Sequence, residues 1–157
     1  MSPARLALLA QLASTLPLVG LIWIVQVVLY PQFARVGSTE FVAYHAAHSR
    51  LITFVVAPLM VVEIVGALAL LGFEDATVPR GVAWLGAFLA ASTWGITMLV
   101  SVPQHEVLAR GFDAHAHALL VTTNWLRTVA WSLRGALLLW VMGRLLSAGS
   151  AVSLARP

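Results

Sequence analysis

The chain reads as all-α: an integral membrane four-helix bundle, up-down-up-down, in a single domain over residues 1–157. Three observations lead there. Hydrophobic residues are 61% of the chain, charged residues 10%, and the mean hydropathy is +0.93; a soluble domain carries about 25% charged residues. Four apolar runs, at about 6–30, 51–71, 80–102 and 118–146, are each long enough to cross a bilayer, for which about 20 residues suffice. The connections are short, so consecutive helices should be antiparallel neighbours.

Met1 to Arg5 is a polar start, and the first span follows from Leu6 to Tyr30. A cleaved signal peptide would have a shorter apolar region and a small-residue cleavage site, which Trp23, Gln26 and Tyr30-Pro31 do not resemble. Pro17 leaves the Ala13 carbonyl without its helical donor and predicts a kink. Pro31 to Glu40 reads as a loop. The second helix opens at Phe41 with a polar entry (Tyr44, His45, His48, Arg50), then turns apolar apart from Pro58 and Glu63. Gly72 to Pro79 reads as a turn, on its Gly, Pro and two acids. In the third span Ala83, Ala87, Ala91 and Gly95 recur every fourth residue, a seam that lets another helix approach closely. Pro103 should end that span, leaving Gln104 to Asp113 as a loop. The fourth helix, Ala114 to Leu146, again has a His-bearing entry (His115, His117) before its apolar body.

Each half has the same order: span, Pro-Gln, loop, His-bearing helix. His45 lies 14 residues after Pro31, and His117 lies 14 after Pro103. Two parallel repeats about an axis along the membrane normal would give this pattern, and so would coincidence between two proline-ended helices.

Composition also excludes. Without cysteine there are no disulfides and no thiolate chemistry. All nine basic residues are Arg and form no run or stripe, so nucleic acid is not an expected partner; the lipid bilayer is. Arg5, Arg80, Arg144 and Arg156 fall on the N-terminal side, against Arg35 and Arg110 opposite and Arg50 at the boundary. That excess places both termini in the cytoplasm of a bacterial-type inner membrane.

The same topology puts His45, His48, His105, His115 and His117 at the outer end. They suit an interfacial zone, or they form a site. As a metal centre, His45 and His48 would converge from one helix face, with His117 from the fourth helix and His105 from the loop. As a haem site, the iron would lie between His48 and His117, with Gln26, Tyr30 and Trp131 also holding the cofactor. Glu63 is 15 residues beyond His48, about 22 Å along the axis, so the two cannot share an ion. Depth matching instead pairs Glu63 with Arg134, or less well with Arg127: an ion pair fixing helix register, or a group that handles protons or substrate. Between the mouth and that pair lies a polar layer of Gln26, Tyr30, Thr97, Ser101, Thr122, Thr123, Asn124 and Arg127, with Trp94, Trp125 and Trp131 as walls. Interhelical hydrogen bonding explains most of it, but Arg127 has five donors to satisfy. Asn124, Arg127 and Glu63 are the candidate catalytic residues.

Pro103-Gln104-His105-Glu106-Val107-Leu108 and Asn124-Trp125-Leu126-Arg127-Thr128 resemble motifs of a small four-span membrane family that includes anthrone-oxygenase-like proteins. His105 stands at that family's Asn position. The resemblance covers the C-terminal third and implies a four-helix bundle and, in some members, oxygenation of a polycyclic phenol.

Three functions fit these residues. One is a membrane oxidoreductase or oxygenase using a His-ligated haem or transition metal. The second is a binding or transport module for a small hydrophobic or quinone-like molecule, working as a homodimer through the third helix's small seam. The third is a structural subunit whose polar groups only pack.

Overall fold

The computed structural model describes residues 2–73 and 78–154, with side chains through Ala148. The acids of the expected 72–79 turn, Glu74 and Asp75, and Arg156 of the charge argument lie outside the described residues. The described residues form four long helices: α1 Pro3–Phe33, α2 Ser38–Gly72, α3 Arg80–Leu108 and α4 Ala114–Leu154. Each is long and apolar enough to cross a membrane. They pack in a ring, α1 on α2, α2 on α3, α3 on α4 and α4 on α1. Phe54 and Leu99 are each 80% exposed at the outside of the ring. Such surface is a liability in water and suits lipid. The chain is a multi-pass membrane protein with an all-α bundle fold.

Two expected loops begin later than the prolines suggested. Pro31 and Pro103 sit inside continuous helices, which run on to Phe33 and Leu108. A π-helical turn precedes each one: Val25–Leu29 before Tyr30-Pro31, and Thr97–Ser101 before Val102-Pro103. The amide of Tyr30 reaches back five residues to the Val25 carbonyl, and that of Val102 to the Thr97 carbonyl. The widened turn takes up the place where a proline ring would strike the preceding turn, and the missing N–H falls at the start of a new α segment. His105 is therefore a helical residue on α3. The π-turns also stand at matching places in the two halves, five residues each and ending two residues before the proline. Helix α1 likewise continues through Pro17.

The small seam of α3 is shifted from the expected one. Ala83, Ala87 and Ala90 are buried within the bundle, whereas Ala91 is exposed and a Cβ on Gly95 would meet nothing within 4 Å. The close approach it permits is used inside the chain, where Ala87 and Ala90 pack on Ala67 of α2. At the far turn, the Asp113 side chain accepts from the Ala116 amide at 2.8 Å and caps α4.

All four helices meet at one buried ion pair. Arg134 Nε donates to Glu63 Oε1 at 2.8 Å, both side chains being fully buried. Thr15 donates to Glu63 Oε1 at 2.8 Å, and the Trp131 indole N–H donates to Oε2 at 3.0 Å. The remaining Arg134 nitrogens donate to the Gly86 carbonyl and to Gln11 Oε1. Gln11 in turn donates to the Gly66 carbonyl at 3.0 Å. Two glycines make this room: a Cβ on Gly66 would stand 2.9 Å from Gln11 Cγ, and one on Gly86 would stand 3.3 Å from Arg134 Nη1. The expected pairing of Glu63 with Arg134 is present, and each of their side-chain nitrogens and oxygens has a partner, drawn from all four helices.

Candidate functional site

Above the ion pair, α2 and α3 part and leave a cavity of about 410 Å³. That is within the range of small-molecule sites, roughly 300–1,000 Å³. Most of its lining is apolar, including Ile22, Val25, Ile52, Val56, Met60 and Trp94. The cavity reaches the surface between the two helices, its lining including exposed Thr53 of α2 and exposed Met98 and Val102 of α3. Helices α1 and α4 form the back wall. Trp131 is the floor, and its N–H, turned the other way, belongs to the Glu63 network.

The polar groups gather on one side. Arg127 of α4 lines the cavity and is only 7% exposed. Its Nη1 donates to Ser101 Oγ at 3.2 Å, and its guanidinium lies 5.2 Å from the centre of the Trp131 ring. Its Nε has no hydrogen-bond partner. Among the described residues no carboxylate pairs with it; the ion pair is Glu63 with Arg134. Tyr30 sits beside it. Tyr30 Oη is 3.1 Å from His105 Nε2, and His105 Nδ1 is 3.0 Å from His45 Nε2. His45 is 1% exposed and its Nδ1 has no partner. His48 lies against this chain, its ring stacked on His105 at 6.4 Å between centres. Phe33, Phe41 and Tyr44 pack edge-on or face-on around these imidazoles and fix their planes.

The structure brings together part of the expected site. Tyr30, His45, His48, His105, Arg127 and Trp131 line one cavity. His117 does not. Its Nε2 lies 2.8 Å from the Tyr30 carbonyl, which can only accept, so the ring donates there and caps the C-terminal end of α1. A haem between His48 and His117 therefore has no common space to occupy. The four-imidazole metal centre is not assembled either. The facing nitrogens of His45 and His105 are spent on each other, His117 is turned to α1, and no three His, Cys, Asp or Glu side chains among the described residues could hold one ion.

Gln26 and Asn124 form a different contact. Asn124 Nδ2 donates to Gln26 Oε1 at 2.7 Å, and Gln26 Nε2 donates to the Val121 carbonyl at 3.2 Å. They tie α1 to α4 and do not line the cavity. Glu63 lies below the floor, with both oxygens engaged.

Compared with family models, curated proteins and solved structures, the chain matches none.

Gln11 and Thr15 of the ion-pair layer were missed by sequence reasoning. Their signal is the spacing Gln11, Ser14, Thr15 on one face of an otherwise apolar run.

Proposed function

We propose that this is an inner-membrane protein, both termini cytoplasmic, whose cavity binds a small lipid-soluble molecule carrying an acidic or carbonyl oxygen. One observation carries the reading: a buried guanidinium lines an apolar cavity with its Nε unpaired and, among the described residues, no carboxylate in ion-pair contact with it. Such a charge is costly in a membrane interior unless it has a partner, and an incoming oxygen supplies one. Arg127 takes the oxygen, Trp131 and Trp94 take a flat or flexible apolar body, and Tyr30 offers a second polar contact. The exposed rim between α2 and α3 suits entry from the bilayer. This is the binding-module function.

A suitable probe is 4-hexyl-2-nitrophenol with the protein in nanodiscs, compared with 4-hexylnitrobenzene, which lacks the acidic oxygen. The nitrophenol should bind and the neutral analogue should bind at least tenfold less well. Arg127→Met should remove that preference, as one charge-assisted hydrogen bond is worth about 1.5–3 kcal/mol. Equal binding of both probes by the parent protein overturns the reading.

A second reading, an oxygenase or other oxidoreductase acting on such a molecule, is favoured by the resemblance to anthrone-oxygenase-like proteins and by the linked Tyr30, His105 and His45 on the same wall. Turnover of a phenol with oxygen uptake by purified protein would support it.

A further inference from the structure

Three ionisable rings from three helices are joined end to end along the cavity wall: Tyr30 of α1, His105 of α3 and His45 of α2. Packing alone does not require them. Phe33 follows Pro31 by two residues as His105 follows Pro103, so the matching place in the first half holds an apolar ring. Nor do they merely satisfy one another, because the chain ends on a buried His45 Nδ1 with no partner.

A neutral imidazole has one proton for two nitrogens, and each hydrogen bond holds one proton. Two arrangements of the same three protons therefore satisfy both bonds. In the first, Tyr30 O–H donates to His105 Nε2, His105 Nδ1–H donates to His45 Nε2, and His45 holds its proton at Nδ1. In the second, His45 Nε2–H donates to His105 Nδ1, His105 Nε2–H donates to the Tyr30 oxygen, and Tyr30 O–H is freed toward the cavity. Arg127, a donor only, stands beside Tyr30 and favours the first arrangement while the cavity is empty. An oxyanion held by Arg127 would accept from Tyr30 and favour the second.

We infer that Tyr30, His105 and His45 form a proton relay that protonates and deprotonates the oxygen of a lipid-soluble weak acid held at Arg127. The inference rests on the binding reading above. In the forward direction Tyr30 gives its proton to the ligand oxyanion and takes one from His105 Nε2. His105 takes one at Nδ1 from His45 Nε2, and His45 takes one at Nδ1 from hydronium, leaving water. Four bonds to hydrogen break and four form, nothing is oxidised or reduced, and the rings end in the first arrangement. His48, stacked on His105, and Glu106 at the cavity rim are the other titratable groups nearby.

The test uses the protein in nanodiscs with bound 4-hexyl-2-nitrophenolate. A stopped-flow drop in pH is followed by loss of the phenolate's colour. His45→Gln keeps a hydrogen-bonding group where Nε2 stands but cannot pass a proton through it; His105→Phe removes the link. Both should slow protonation of the bound probe at least tenfold, measured with each variant saturated by the probe. Unchanged rates with the probe bound overturn the relay and leave the cavity reading intact, whereas failure of the parent protein to bind the probe overturns the cavity reading. A readout on the rings themselves stands beside it. In 15N spectra of histidine-labelled protein, His45 and His105 should carry their protons on Nδ1 when empty and on Nε2 with phenolate bound. A fixed tautomer in both states overturns the relay however the variants fold.

Discussion

Arg127 and Arg134 lie about two turns apart on one face of α4 and have opposite surroundings. Arg134 has a carboxylate, a backbone carbonyl and an amide oxygen around it, drawn from the other three helices. Arg127 has a serine hydroxyl, the Tyr30 phenol and an indole face around it, and its Nε is left without a partner. The lower layer is closed and holds the helices in register. The upper layer has the same kind of charge and leaves it incomplete at the wall of a cavity. Completeness of the hydrogen-bond shell, more than the presence of an intramembrane charge, separates the part that builds the fold from the part available for chemistry.

The largest stability effect should come from breaking the lower pair. Glu63→Ala or Arg134→Met is expected to cost about 3–5 kcal/mol, because each strands a buried charge. The double variant should cost less than the sum of the two. Unfolding in mixed micelles measures this, and a single-variant loss below about 1 kcal/mol would remove the register lock. Next comes crowding. Gly86→Ala puts a Cβ 3.3 Å from Arg134 Nη1 and should cost about 1–3 kcal/mol. The same change at Gly95, where nothing lies within 4 Å, should be neutral or mildly stabilising. His117→Phe removes the donor to the Tyr30 carbonyl and should cost about 1 kcal/mol in the same unfolding experiment. The smallest stability change is expected at Arg127→Met, which removes a buried cation that has no carboxylate partner among the described residues and should leave the fold unchanged or slightly firmer. A loss there as large as at Arg134 would show that the two arginines do the same job.

Much of this contrast was legible in the amino-acid order. Glu63 and Arg134 lie at similar depths on helices that run in the same direction, so counting from the His-bearing ends paired them. Arg127 stood out because too few partners could be named for it. Gln11 and Thr15 escaped because α1 runs the other way and its depth must be counted from the opposite end. Position along an axis can be read from a sequence, but rotation about it cannot when apolar residues surround the helix on every side. Hence Gln26 and Asn124 were placed in the right layer but face each other across α1 and α4 rather than the cavity. The imidazoles were gathered at the correct end, yet their mutual geometry is a hydrogen-bonded line in place of a ligand cage. That depended on His105 riding on α3, and so on a π-turn that carries the helix past Pro103 where the usual reading of proline stops it.

If the cavity takes its ligand through the gap between α2 and α3, as proposed, the protein would have an unusual relation to dose. A compound arriving through that side door is counted by its mole fraction among the lipids rather than by its molarity in buffer. Two compounds of equal intrinsic fit would then differ in apparent potency by the ratio of their oil–water partition coefficients, and a detergent with a slim alkyl tail would act as a competitor.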